Sequence, residues 1–359
     1  MRVLALVTDS FGGYGGIAQF NRHYLTALCD ADKVIGVTVV TRQCGTQTED
    51  LPPKLAFLRS RSNSKISLVT TLLKVLFSDD KFDLVICGHI NLLPLAWLAA
   101  RKKGARLALI MHGTEVWDPP RRRLGARFLR AVNHFHAVSK YTCKRFMAWA
   151  NVDATRIKVI PNGIDLTGYQ IGSRPAELET RHRLENKKVL LTVGRLSHAE
   201  QAKGFDQVIR ALPSIRQHIP EVAYLIVGEG DDLQRLKQLC TELELTDFVV
   251  FTGKIEEQEK IKYYQLADAY VMPSRMEGFG YVYLEAMACG LPVVGSKTDG
   301  SSEPLLDGKL GELIDPDNLE EISNASIRAL KKPKHVPEEL DRFSLNTFQD
   351  NVRDSLNLT

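Results

Sequence analysis

The sequence predicts an α/β protein built from two parallel-sheet domains, and three observations carry that expectation. Short apolar runs alternate with helix-length segments along the chain, the pattern of strands covered on both faces by crossover helices. The 359 residues suffice for two separate cores. Charge divides the chain as well: residues 1–170 carry 24 Lys+Arg against 12 Asp+Glu, and residues 171–359 carry 23 against 31, so a +12 half precedes a −8 half. The expected domains are 1–170 and 171–340, and the polar stretch Gly172–Lys188 is the expected linker.

In the first half, strands are expected at Val3–Val7, Ile35–Val40, Leu84–Cys87, Leu107–Met111, Phe135–Val138 and Lys158–Ile160. Helices are expected at Gln19–Cys29, Ser67–Phe77 and Leu92–Lys103. The second half repeats the pattern, with strands at Val189–Val193, Ala223–Val227, Val249–Phe251, Ala269–Met272 and Pro292–Val294. Its helices fall at Phe205–Arg216, Asp231–Glu242, Glu257–Leu266 and Tyr283–Cys289. Two open α/β sheets bind ligands at the carboxyl ends of their strands, which predicts a cleft between the domains.

Composition excludes several classes. With 44% hydrophobic and 25% charged residues the chain reads as soluble and globular. Val3–Val7 is too short for a signal-peptide core, and Ile90–Ala100 is too short for a membrane helix of about 20 residues. Cys29, Cys44, Cys87, Cys143, Cys240 and Cys289 show no paired spacing, so reduced thiols in a cytoplasmic protein and no structural zinc are expected. Arg121, Arg122, Arg123, Arg127 and Arg130, interleaved with Leu124, Phe128 and Leu129, form the densest basic cluster. Such a cluster is either a solvated helix face or a surface for anionic headgroups or an anionic glycan. No recognition motif for nucleic acid accompanies it.

The segment Pro273–Ser296 is the most telling. Glu277 and Glu285 lie eight residues apart around a turn, Gly278-Phe279-Gly280, that opens a helix. The helix N-terminus favours a phosphate, and a carboxylate can hold the paired hydroxyls of a sugar or ribose. A capping Glu277 and a solvated Glu285 are the plainer alternatives. Arg195 ends the strand Val189–Val193, and Lys203 precedes the next helix, a pairing able to neutralise a diphosphate. The loop after the first strand, Phe11–Phe20, carries Gly15-Gly16. Gly13–Ala18 also fits the G-x-G-x-x-A dinucleotide fingerprint, but five residues separate it from the strand and Thr41-Arg42 stands where an acid is expected. Asp30-Ala31-Asp32 and Asp315-Pro316-Asp317 read as a helix end and a turn with a cap, so no magnesium site is expected.

These motifs together resemble glycosyltransferase family 4, whose members are retaining enzymes of the GT-B fold with two Rossmann-like domains. The resemblance rests on the Glu-x7-Glu pair in PSRMEGFG…LEAMACGLPVV, on VGRL…KGF at Arg195 and Lys203, and on Gly15-Gly16. MHGTEVWD at His112, VIPNGID at Asn162-Gly163 and Gly228-Glu229-Gly230 add to it. Two departures stand out. Phe343-Ser344-Leu345 replaces the family's FSW, and Thr298-Asp299-Gly300-Ser301-Ser302-Glu303 replaces its TGGxPE.

The resemblance implies transfer of a sugar from a nucleoside-diphosphate sugar (UDP or GDP) to a glycan or glycolipid hydroxyl in envelope or extracellular polysaccharide synthesis. It implies catalytic roles for His112, Glu277, Arg195 and Lys203. Donor binding would fall to Gly15, Gly16, Gly228, Gly230, Gly278, Phe279, Gly280, Glu277 and Glu285, with Glu285 on the ribose and Glu277 on the sugar. Glu115 would be a secondary acceptor contact. The N-terminal domain would face the acceptor, and a terminal helix, about 341–359, would pack back on it. No metal or other cofactor is implied, and the expected location is cytoplasmic, peripheral on an anionic membrane surface. An epimerase or phosphorylase of the same fold and a non-catalytic nucleotide-sugar binder remain open on these residues, whereas a nicotinamide oxidoreductase rests on the Gly13–Ala18 match alone.

Overall fold

A computed structural model describes residues 1–42, 50–59, 64–119, 127–198 and 201–358. It divides into two compact units, one of Met1–Gly163 with Ser344–Thr359, the other of Ile164–Phe343. The division lies closer to the N-terminus than the expected boundary at 170, and the C-terminal segment groups with the first unit.

The first unit is a seven-stranded parallel sheet: β1 (Arg2–Val7), β2 (Gly36–Thr41), β3 (Leu55–Arg59), β4 (Leu84–Cys87), β5 (Arg106–Met111), β6 (His134–Ala137) and β7 (Ile157–Val159). The spatial order is β3-β2-β1-β4-β5-β6-β7. Val3 of β1 stands opposite Val37 of β2 and Leu84 of β4. Residues 3–7 and all of β4 are buried, because helices cover both faces of the sheet. The helices include Gly16–Asp30, Lys65–Leu76, Leu93–Lys103 and Lys140–Met147, the last capped by Ser139 accepting from Thr142 N. The terminal helix Leu345–Ser355 packs on Gly16–Asp30, with the Phe348 ring edge-on to Phe20 at 5.2 Å between centroids. Any Cβ at Gly163 would run into the Cβ and ring of Phe348, so only glycine lets the chain pass there.

The second unit is a six-stranded parallel sheet: β8 (Lys188–Val193), β9 (Val222–Val227), β10 (Val249–Phe251), β11 (Ala269–Met272), β12 (Val293–Ser296) and β13 (Glu312–Ile314). Its order is β10-β9-β8-β11-β12-β13, so both sheets reverse direction beside their first strand. In such sheets ligands bind where the order reverses, beyond the carboxyl ends of the two central strands. In the second unit those ends are the loops after β8 and β11, the loops that carry Arg195, Lys203 and Glu277.

Two edge strands, β3 and β13, are absent from the sequence reading. Each lies at the end of its sheet, and neither β3 nor the three-residue β13 forms a continuous buried run. The linker reading of Gly172–Lys188 also fails. That stretch contains the helix Ala176–His182, which buries Leu178, while Leu184 is buried just beyond it. Arg174 pairs with Glu179 at 2.8 Å and with Asp268 at 2.9 Å, so charges that suggested an exposed linker fasten the segment to the domain. Among the described residues no helix is long and apolar enough to cross a membrane.

Replacing Gly163 by alanine should lower stability by about 2 kcal/mol, the scale of overpacking a rigid site. Urea unfolding of the two proteins checks this, and an unchanged midpoint would show that the Phe348 contact yields freely.

Candidate active site

The chain leaves β8 at Val193, passes Gly194 and Arg195, and reaches the helix Phe205–His218 through Lys203. The loop after β9 holds it in place: Leu196 N donates to Glu229 O at 2.9 Å, Asp232 N to Leu196 O at 3.1 Å, and His198 N to the Asp231 carboxylate at 2.8 Å. Gly228 and Gly230 explain the closeness of the two loops. A Cβ at Gly228 would overlap the Gly194 carbonyl, and one at Gly230 would overlap that of Leu196. Their backbone approach is therefore to the Arg195 loop itself. Arg195 is exposed and lines a small notch with Lys203, Asp206 and Arg235.

The Lys203 side chain lies over Gly194 and forms an ion pair with Glu277. A backbone bond between the loops supports that pairing, with Arg275 N donating to Ala202 O at 2.8 Å. The Glu277 turn is held from below. Its amide donates to Asp299 Oδ2 at 2.8 Å, its carbonyl accepts from Gly300 N at 2.8 Å, and Asp299 Oδ1 accepts from Ser301 N at 3.0 Å. Gly300 presses so near the Glu277 and Gly278 backbone that a side chain there would displace the turn. Asp299 is 1% exposed. Burial pushes its carboxyl up to about 6, the Glu277 charge adds to the rise, and the two amide bonds oppose it.

Gly280 caps the helix Tyr281–Ala288, which holds Glu285. Glu285 is buried, not solvated: Oε1 accepts from Lys260 Nζ at 2.9 Å and Oε2 from Tyr264 Oη at 2.6 Å. Lys260 also pairs with Glu257. Burial works against the charge on Lys260, but Glu285 and Glu257 outweigh it and hold the ammonium above its ordinary range. Phe279 differs from expectation. Its side chain is 2% exposed and packs on Phe343 at 5.8 Å between ring centroids, so its ring belongs to the core.

In the first unit, Gly15 caps the helix Gly16–Asp30, whose first turn carries no acidic residue and whose Gly15, Gly16 and Ile17 are exposed. Phe20 of that helix meets the His112 ring edge-on at 5.1 Å. His112 follows β5. Its amide donates to Glu115 Oε1 at 2.6 Å, and Nε2 lies 3.0 Å from Gly88 O. A carbonyl only accepts, so Nε2 carries the proton and Nδ1 remains the acceptor of the ring. Burial pushes His112 down to about 4, which keeps it neutral at pH 7. Arg127 and Arg130 are exposed, and Arg121, Arg122 and Arg123 lie outside the described residues.

The structure thus brings Arg195, Lys203 and Glu277 together in the second unit, and in the first sets His112 against Phe20 of the helix that Gly15 and Gly16 open. Sequence reasoning missed Asp299 and Lys260. Asp299 had a signal, since it departs from the family's small-residue TGGxPE stretch. Lys260 had none, because it meets Glu285 only through the folding of the helix Lys260–Leu266 against Tyr281–Ala288.

A family model described as Glycosyltransferase Family 4 matches residues 14–167, and one described as Glycosyl transferases group 1 matches residues 174–349. The chain is 33% identical over 280 residues to the GDP-mannose-dependent alpha-(1-6)-phosphatidylinositol monomannoside mannosyltransferase of Mycolicibacterium smegmatis, covering 75% of this chain and 72% of that one. The chain belongs to glycosyltransferase family 4, a family of the GT-B fold. A Mycobacterium tuberculosis protein of the same description is 33% identical over 246 residues, 65% of this chain and 63% of that one, so this match spans less than two thirds of the relative. The Anabaena HepE structure in complex with UDP matches over 100% of both chains with a TM-score of 0.78 at 23% identity, a likeness of fold. This family 4 glycosyltransferase works on a nucleotide sugar.

The Asp299 shift has a thermodynamic sign. Its folded value of about 6 exceeds the ordinary 3.8 of an aspartate, so its contribution to stability is complete below pH 3.8 and is lost as pH rises through 6. Relative to Asp299→Asn, the native protein should lose about 3 kcal/mol between pH 4 and pH 7, an order-of-magnitude figure from the two-unit shift. Urea unfolding of both proteins across that range tests it, and parallel pH profiles would overturn the assignment.

Proposed function

We propose that this enzyme transfers a sugar, with retention at the anomeric carbon, from a GDP- or UDP-sugar to a hydroxyl of a glycan or glycolipid. The carrying observation is the convergence of Arg195, Lys203 and Glu277 on the loops after β8 and β11, where the sheet order reverses. Two relatives are described as GDP-mannose-dependent mannosyltransferases acting on a phosphatidylinositol mannoside, which makes GDP-mannose the first donor to test and a lipid-linked acceptor the first class. The pathway is cell-envelope or extracellular polysaccharide synthesis. The enzyme works in the cytoplasm, peripherally on the inner face of the membrane.

In this reading Arg195 and Lys203 stabilise charge developing on the departing diphosphate. Lys203 passes from Glu277 to the diphosphate, or shares both, and the Glu277 carboxylate takes the sugar hydroxyls. Glu285, oriented by Lys260 and Tyr264, takes the ribose. His112 is neutral, and its Nδ1 accepts a hydrogen bond from a sugar hydroxyl. Two fixed cations do the work a metal does elsewhere, so no metal is needed. Retention follows from attack on the face the diphosphate leaves, with a phosphate oxygen accepting the acceptor's proton. Asp299, the other carboxylate beside Glu277, is turned onto backbone amides and is unsuited to nucleophilic attack.

Arg195→Ala should lower turnover of the accepted donor at least ~10²-fold, the scale of losing one stabilising donor, while the native enzyme keeps its activity in chelator. Wild-type turnover in the variant refutes the diphosphate role, and complete loss in EDTA refutes the metal-free reading.

The two glutamates separate by calorimetry with nucleoside diphosphate alone. Glu285→Ala should weaken its binding, whereas Glu277→Ala should leave binding near native and lower transfer. Equal losses of affinity in both would overturn the division of roles.

A further inference from the structure

The helix Lys65–Leu76 buries one face in the usual way, through Leu68, Leu72, Val75 and Leu76. Its opposite side is also apolar. Ile66 is 77% exposed, Leu73 41% and the capping Phe77 75%. Positions 66, 73 and 77 recur at intervals of seven and four, so the three side chains share one stripe. A solvated helix has no use for such a stripe, and contiguous exposed apolar surface marks a contact.

Basic groups border the stripe, and ring contacts connect them to the arginine cluster of the sequence. Lys102, in the last turn of Leu93–Lys103, sits 3.6 Å from the Phe77 ring centroid. Arg101 lies 5.5 Å from the Trp97 ring, Trp97 packs on Phe128 at 4.7 Å, and exposed Arg127 and Arg130 flank Phe128. Leu98, 42% exposed, adds apolar area to the same helix. Lys74 is exposed beside Leu73. The nearby acids weaken this balance little: Asp80 is paired with Arg2, leaving exposed Asp79 as the acid adjoining the stripe.

From this arrangement we infer that the face formed by Lys65–Phe77 and Leu93–Lys103 docks on an anionic lipid surface, with Ile66, Leu73 and Phe77 entering the interface and Arg101 and Lys102 meeting headgroups. The charge is of the right sign for such a surface, the apolar groups stand among the cations, and cation–π contacts hold the basic tips at the level of the aromatic rings. The inference rests on the proposed reading of a lipid-linked acceptor, and it assigns the attachment to a helix face that the arginine motif did not include.

Co-sedimentation with phosphatidylglycerol–phosphatidylcholine vesicles tests it, using the full chain, Ile66→Ser/Phe77→Ser and Lys102→Glu. The native protein should bind these vesicles, bind pure phosphatidylcholine far less, and release as salt rises. Each variant should bind at least ~10-fold more weakly, with native affinity for nucleoside diphosphate as the check on folding. Native-like vesicle binding by both variants, or none by the native protein, overturns the inference. So does self-association of the native protein that the serine variant abolishes, since the face would then meet a second copy of this chain. Donor turnover measured without lipid keeps the two readings apart: turnover without vesicle binding sinks this inference alone, and absence of turnover on any donor sinks the proposed function.

Discussion

Asp299 accepts the amides of Glu277 and Ser301 from a position almost closed to solvent, and the loops around the second unit's switch point take their shape from that contact. Without it the Glu277 amide would lose its bond to Asp299, and the turn between β11 and the following helix would lose its floor. The turn in turn presents a carboxylate to Lys203, and Lys203 belongs to the connection that carries Arg195. A carboxylate whose pKa is pushed up by burial is thus the base on which a charged cluster is assembled.

The same device occurs twice in this domain. Glu277 is met by Lys203 and Glu285 by Lys260, each lysine coming from an element distant in sequence. A buried charge is costly unless paired and hydrogen-bonded, so each lysine offsets the water its carboxylate has lost. Neither lysine exhausts its partner. A carboxylate offers about four lone-pair directions, and Glu285 spends two of them on Lys260 and Tyr264. Hydroxyls of a ligand can share an oxygen that is already oriented, and the orienting groups fix the direction from which they must come.

Most of the inner strands were legible because buried parallel strands are continuous apolar runs: Leu84–Cys87 and Ala269–Met272 fall where the sequence put them. Of the four edge strands, β7 and β10 were read and β3 and β13 were not, since neither of the latter two forms a continuous buried run. The helix Ala176–His182 was hidden for a related reason. It is fastened by the burial of Leu178 and by Arg174 pairing with Asp268, 94 residues away, and local composition records only the charges. Of the candidate site residues, Phe279 was misjudged because an aromatic residue in a glycine-rich turn can serve a ligand or the core, and its neighbour Phe343 decides which.

The sequence by itself determined the class of fold, the family and the identity of the charged residues at the strand ends, because strand burial and glycine-bounded turns are local and periodic. Tertiary structure decided what those residues do to one another. That Gly228 and Gly230 serve the approach of the Arg195 loop, that Lys203 faces Glu277, that Glu285 is buried under Lys260 and Tyr264, and that Asp299 supports the turn all depend on contacts across tens of residues. Their energies come from desolvation and pairing at short range, and which groups come within that range is settled only when the sheet orders its loops side by side.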